Sequence, residues 1–447
     1  MVTRRFALIL LAGLPLPALL PAPWIGLLLV AGFAVFVAVL DVFVAGPLTA
    51  VRLTRSGDRT VWLGGTATVT LTATNTGRRP LRLHVRDSWV PSAGAWPAQH
   101  DVFLPRGAHR ALEVKLNPVR HGDRPAVLVT LRSLGPFGVA YRQRGRKWNA
   151  SVSPPWVLRV LPHFPSRRIL PEKLARMRVI EGSAVTRGRG AGTEFDALRE
   201  YVIGDDVRSI DWRASARHND VMVRTWRPER DRRVICVIDT GRTSAARVGD
   251  APRLDAAIDA ALLLAVLATR ADDRVDLFAL DAVVRARVSS SGKMDRLIDA
   301  MAALTPAPDE TDWTALASAL LRRDQKRSLV VIFTALEPAP IVEGLLPLLR
   351  RLTARHQVVV AGVRDPAVSR AAVLPSAPPP DSSSVPPAAI TAADVHLAAA
   401  AQRVLTERDR VREVLTRFGA IVVDEDAGAF AGRVADVYLL LKATGRL

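Results

Sequence analysis

Gly188–Asp239 reads GRGAGTEFDALREYVIGDDVRSIDWRASARHNDVMVRTWRPERDRRVICVID, and the end of this stretch sets the fold. A dense polar and charged segment gives way to the apolar run Val234–Ile238, which stops at Asp239. A short unbroken apolar run is the pattern of a strand buried on both faces. A carboxylate at the C-terminal end of such a strand stands where open α/β sheets place their ligand sites. Downstream, strands are expected at Val234–Asp239, Arg274–Leu280, Leu329–Thr334, Gln357–Val363 and Ala420–Val423. Helices are expected at Pro252–Arg270, Met294–Ala303, Asp312–Arg323, Ile341–Arg355, Ala392–Phe418 and Gly428–Ala443. Strands alternating with amphipathic helices imply an α/β domain over 234–447, its parallel sheet covered on both faces. Within it, residues 371–390 contain PSAPPPDSSSVPP, a low-complexity stretch expected to be a disordered loop outside the core.

Upstream, residues 156–233 form a polar connecting segment and residues 50–155 read as β. Val61–Gly77 alternates apolar residues with threonine, the period of a half-buried strand, and Asn75-Thr-Gly77 marks a turn. Leu81–Val85, Ala111–Leu116 and Ala126–Leu131 alternate likewise, so a small β-sandwich-like module is expected. From Phe6 to Ala45 the only charge is Asp41. That length suits two spans of about 20 residues each. Prolines 15, 17, 21 and 23 break it, giving transmembrane helices at 6–21 and 24–45 after a short N-terminus, 1–5. Arg4 and Arg5 precede the pair and Arg52 and Arg55 follow it, while the turn is uncharged. The positive-inside rule then places both ends and the soluble domains in the cytoplasm, anchored to the plasma (inner) membrane. The rival reading of the first segment is a cleaved signal peptide.

The formal net charge is +19, which raises a nucleic-acid role, yet the arginines are spread along the chain rather than gathered in one tail. Anionic membrane lipids are a simpler destination for the same charge. The single cysteine, Cys236, lies inside an apolar run and excludes an internal disulfide. The eight histidines show no metal-ligand spacing. Neither a phosphate-cradling glycine loop nor a nucleophile elbow is present, and no catalytic constellation is recognised.

Gly192–Arg217, GTEFDALREYVIGDDVRSIDWRASAR, closely resembles the signature of the bacterial domain of unknown function 58 family. The helical pair, β module and following α/β domain resemble that family's arrangement over nearly the whole chain. The resemblance implies a von Willebrand factor A-like, Rossmann-like α/β domain. It also implies partnership with a MoxR-type AAA+ ATPase, but no established enzymatic activity. A-type domains hold a metal with Asp-x-Ser-x-Ser after the first strand, a threonine on a second loop and an aspartate after a later strand. Here the first motif is Asp239-Thr-Gly241-Arg-Thr243, Thr311 is the second-loop candidate, and Ala335 stands where the later aspartate is expected. Asp239, Thr243 and Thr311 thus make a degenerate magnesium site that would need help from Asp281, Asp312 or Glu337. The alternatives for Asp239 are a carboxylate that only organises its own loop and a metal-free partner site.

The cluster Asp205, Asp206, Arg208, Asp211, Trp212, Arg213 and Arg217 is open to three readings. It docks the segment on the α/β domain with Trp212 as apolar anchor, it contacts a partner, or its carboxylates do acid/base work. Together these features lead us to expect a membrane-anchored cytoplasmic protein-interaction module acting with an AAA+ ATPase in chaperone-like or assembly processes. A hydrolase using the 205–217 carboxylates and a nucleic-acid-binding membrane protein are the alternatives.

Overall fold

Pro23–Val44 forms a 22-residue helix (α2) whose apolar side chains are largely exposed. The computed structural model describes residues 2–15, 17, 22–144, 153–187, 194–203, 205–218, 220–227, 232–289, 293–323, 327–373 and 391–447. Among them, one helical stretch is long and apolar enough to cross a membrane, Pro23–Ala50, with a mean hydropathy of 2.8. The preceding helix, α1, is Arg4–Gly13, ten residues long. At 1.5 Å per residue it extends about 15 Å, short of a full span. The helix expected over 6–21 therefore stops at Gly13, two residues before the first proline; residues 18–21 lie outside the described ones. Gly13 sits so close to Val30 of α2 that a Cβ would overlap it, and Gly26 packs likewise on Pro17.

The chain divides into two compact units, Met1–His163 and Phe164–Leu447. After α2 the first unit is a strand-built module. Its strands are β1 (Val51–Gly57), β2 (Thr60–Trp62), β3 (Ala67–Asn75), β4 (Leu81–Trp89) and β5 (Ala95–Trp96). They continue with β6 (Gln99–Leu104), β7 (His109–Leu116), β8 (Gly122–Leu134), β9 (Tyr141–Arg144) and β10 (Val157–Leu161). One sheet has the order β1-β3-β7-β5, the other β2-β10-β8-β4-β6 with β9 on β8. Strand β10 carries the module past residue 155. Inward residues of both sheets share two apolar clusters: Leu71, Leu83, Leu104 and Leu131 in one, Val69, Trp89, Val114 and Leu158 in the other. Each fully buried aliphatic side chain stabilises such a core by about 1.5–3 kcal/mol. In β4 the inward phase is Leu81, Leu83, Val85, Asp87 and Trp89, so one carboxylate shares the apolar face. Asp87 is matched there by Arg55 of β1, with both side chains buried.

The second unit opens with α3 (Leu170–Arg187) and an antiparallel pair, β11 (Glu194–Glu200) and β12 (Met222–Arg227), enclosing the short helix α4 (Trp212–His218). Then follow β13 (Arg233–Asp239), the two-residue strands β14 (Arg247–Val248) and β15 (Ala251–Pro252), α5 (Arg253–Arg270), β16 (Arg274–Leu280) and β17 (Val284–Ser289). Next come α6 (Met294–Ala302), α7 (Trp313–Arg323), β18 (Leu329–Phe333), α8 (Leu346–Thr353) and β19 (Gln357–Arg364). The unit ends with α9 (Pro366–Ala371), α10 (Ala392–Arg417), β20 (Ile421–Asp426) and α11 (Ala427–Ala443). The sheet order is β17-β16-β13-β18-β19-β20, parallel except for the edge strand β17. Strand β13 alternates between faces. Val234, Cys236 and Ile238 join the cluster packed by α5 and α11, whereas Ile235 and Val237 join the one packed by α7 and α8. This is a mixed α/β fold with several sheets. The low-complexity stretch lies outside the described residues from 374 to 390.

Burial pushes the Cys236 thiol up to about 12. Because the thiolate is the reactive form, the folded chain is expected to leave Cys236 unlabelled by iodoacetamide at neutral pH. Intact-mass measurement before and after denaturation checks this, and labelling of the native chain at the denatured rate would contradict the burial.

Candidate functional site

Strand β13 is the turning point of the sheet: the chain builds outward through β16 and β17 on one side, then returns to build β18, β19 and β20 on the other. In open α/β sheets such a switch point opens a crevice at the C-terminal strand ends. Asp239 ends β13 there and is only 4% exposed. Its Oδ1 accepts hydrogen bonds from Gly241 N (2.8 Å) and Thr311 Oγ1 (2.5 Å). Its Oδ2 accepts from Thr334 Oγ1 (2.6 Å) and, at 3.4 Å, from Thr243 Oγ1. The structure therefore brings together Asp239, Thr243 and Thr311, and adds Thr334. Thr334 gave no separate signal beyond its place directly after β18, beside Ala335.

The carboxylates proposed as helpers are committed elsewhere. Asp281 accepts from Thr240 Oγ1 (3.0 Å) and pairs with Arg285. Asp312 accepts from Thr314 N (2.9 Å). Glu337 pairs with Arg253 at 2.9 Å, and Arg253 also donates to Thr243 O at 2.9 Å. Arg253, at the start of α5, was not among the residues singled out from sequence. The crevice beside Asp239 and Arg253 holds a void of about 10 Å³, roughly the space one water molecule requires. Among the described residues no group of three or more histidine, cysteine or acidic side chains is placed to hold a metal. Magnesium keeps several waters and near-octahedral geometry, so these residues do not fit the ion that A-type domains carry.

The second candidate cluster lies on the β11–β12 excursion. Asp205 accepts from Val202 N (3.0 Å) and pairs with Arg199 (2.6 Å). Asp206 accepts from Arg208 N at 3.0 Å. Asp211 accepts from Arg213 N and Ala214 N, each at 3.1 Å, and pairs with Arg224 at 2.8 Å. The Ala214 amide, then Arg224, holds the Asp211 carboxyl below its ordinary range. These carboxylates cap turns and close ion pairs. Arg208, Arg213 and Arg217 are exposed. Trp212 is 68% exposed, so it does not anchor the segment as expected. Tyr201 N donates to Val221 O and Asp211 N to Met222 O, which brings both chain passages against the start of β12. At that end Val202, Ile203, Val207 and Trp212 all project into solvent, Ile203 at 97% exposure.

Residues 197–377 match the DUF58 family, described as a protein of unknown function. The DUF58 match spans most of this excursion together with Asp239, Thr243, Thr311 and Thr334. The chain is also 27% identical over 194 residues to uncharacterized proteins of Mycobacterium tuberculosis and Mycobacterium bovis, covering 42% of this chain and 60% of theirs. It thus spans less than two thirds of the length of the curated relatives it matches. Solved structures with partial likeness include alpha-2-macroglobulin of Escherichia coli, 24% identical over 27% of this chain and 18% of that one, with a TM-score of 0.21. A CARDB domain of Pyrococcus furiosus, 14% identical over 25% of this chain and 87% of that one, has a TM-score of 0.19. Likenesses this weak carry no argument about function.

Proposed function

We propose that the chain is a membrane-anchored protein-interaction module that presents a von Willebrand factor A-like α/β unit in the cytoplasm. Its partner class, a MoxR-type AAA+ ATPase acting in chaperone-like or assembly steps, comes from the resemblance of Gly192–Arg217. The observation that carries the reading is the solvent-projecting set Val202, Ile203, Val207 and Trp212. Large apolar side chains gathered at one end of an excursion are characteristic of contact surfaces, and tryptophan is enriched among the residues that dominate binding. The neighbouring carboxylates cap turns and close ion pairs, which supports contact over acid/base work.

For the anchor, we propose that the segment before α2, whose helix is too short to span by itself, folds back alongside α2, so that both ends lie on one side. The support is a shared loop. Thr3 N donates to Val139 O (2.8 Å), and Asp41 near the end of α2 accepts from Phe137, Val139 and Ala140 amides at 3.0, 2.7 and 2.8 Å. Arg55, counted among the flanking charges, is instead buried against Asp87, leaving Arg4, Arg5 and Arg52 for the charge rule.

Ile203→Ser and Trp212→Ala are expected to leave the melting temperature of the full chain nearly unchanged, since exposed substitutions typically shift stability by about 0.5 kcal/mol or less. Co-purification from membranes should recover an AAA+ ATPase with the unaltered chain and lose it at least about tenfold with the pair, the equivalent of about 1.4 kcal/mol. Equal recovery with both, or no such ATPase at all, would remove the proposal.

A further inference from the structure

We infer that Asp239 closes a cation-independent clamp at the switch point, in place of the divalent ion that the resemblance implies. A carboxylate offers about four acceptor positions. Here they meet Gly241 N–H and Thr311 on one oxygen and Thr334 and Thr243 on the other. The four donors come from three separate loops, so one side chain ties the C-terminal ends of β13 and β18 to the segment before α7. All four groups donate, so both oxygens that a metal would draw on are already taken up by hydrogen bonds.

Gly241 explains why the clamp can close. A Cβ at this position would overlap Thr311 Oγ1 and lie 3.1 Å from Asp239 Oδ1. The space where a serine of the metal motif would begin is therefore filled by the Thr311 hydroxyl. Ala335 supplies no carboxylate, and Arg253, paired with Glu337, lines the wall of a void that holds about one water. A cation with bound waters would have to displace threonine hydroxyls and approach that arginine. The inference goes beyond the partner reading and stands whichever protein docks: the rim is preformed and is not switched by divalent ions.

The test uses the full chain in detergent after dialysis against EDTA. Addition of MgCl2 or MnCl2 to millimolar levels is expected to leave the melting temperature unchanged within about 0.5 °C, below the roughly 1–2 °C expected per kcal/mol at about 2.1 cal/mol/K of unfolding entropy per residue over Phe164–Leu447. Calorimetric titration should show no Asp239-dependent heat. Thr311→Val and Gly241→Ala should each lower the melting temperature by about 2–4 °C. The double variant should fall no further than the worse single one, because both remove the same hydrogen bond. Thr311→Ser should restore most of the loss. Binding of Mg²⁺ or Mn²⁺ tighter than millimolar that disappears in Asp239→Asn would overturn the inference, as would additive losses or unchanged melting in both single variants. The metal titration of the unaltered chain decides the point even if a variant fails to fold. Loss of the AAA+ partner alone would leave the clamp untouched.

Discussion

Asp41→Ala is expected to release the end of α2 from the β module and to lower the stability of the first unit by about 3 kcal/mol or more. Asp41 is fully buried and accepts three backbone N–H groups from the loop 137–140. Each buried donor left without an acceptor costs about 1–3 kcal/mol. The loop is also fastened by Arg142 Nε on Val42 O (2.9 Å) and Thr3 Oγ1 on Gly138 O (2.7 Å). Those bonds alone do not replace three to a carboxylate. Gly135→Ala should act in the same direction, because its Cβ would overlap Asp41 Oδ1. Asp41→Asn should be milder, since one amide oxygen still accepts. Thermal melting and limited proteolysis of the full chain in detergent check this; new cleavage between Ala45 and Val51 is the expected signature. Unchanged melting and proteolysis in Asp41→Ala would show that the three bonds contribute nothing.

Asp87→Ala should damage the same unit as severely, by about 3–5 kcal/mol. The Arg55 and Asp87 side chains are 1% and 0% exposed. Asp87 also accepts from Trp89 Nε1 at 3.0 Å, and the Arg55 guanidinium lies 5.0 Å from the Trp89 ring centroid. Truncating the acid strands a buried arginine between strands. Burial, the largest influence on each partner, raises the Asp87 carboxyl and lowers the Arg55 guanidinium, so both shifts run against ionisation. Hence the double change Arg55→Met with Asp87→Leu should recover most of the loss, as apolar replacements of buried pairs often do. Protease resistance of residues 50–163 in the intact chain measures both. A double variant as fragile as Asp87→Ala would indicate that the pair, not its desolvation, organises the module.

These two sites show where reading the residues works and where it stops. The unbroken run Val234–Ile238 announces a strand buried on both faces, and β13 is one. Helix α10 and strand β16 lie within two residues of where periodicity places them, because each carries a long or uninterrupted pattern. The period-2 alternation of Leu81–Trp89 even puts Asp87 on the inward phase, though its partner 32 positions earlier is a tertiary fact. Edge strand β17 lacks the apolar run of its neighbours, since Val284–Ser289 is mostly exposed and carries Arg285 and Arg287. The Asp239 triad was legible as a broken motif. Thr334 was not, since only the register between β13 and β18 turns its hydroxyl toward the carboxylate. Trp212 misled for the opposite reason: an aromatic beside charged residues looks like an anchor until its exposure is known.

Asp41 and its three amides are 96 to 99 positions apart in the chain. A ribosome therefore releases the carboxylate well before the groups that satisfy it. On the proposed reading of α2 as a membrane anchor, its end carries a carboxylate without these partners while the later strands are still being made, and water can solvate that group where lipid cannot, which favours keeping this end of the helix at the aqueous boundary. When Phe137–Ala140 arrives, its amides supply the three hydrogen bonds that hold the carboxylate in place. On the proposed membrane-anchored reading, this one buried carboxylate favours insertion before closure of the module, and an anchor threaded too deep would leave the loop nothing to grip.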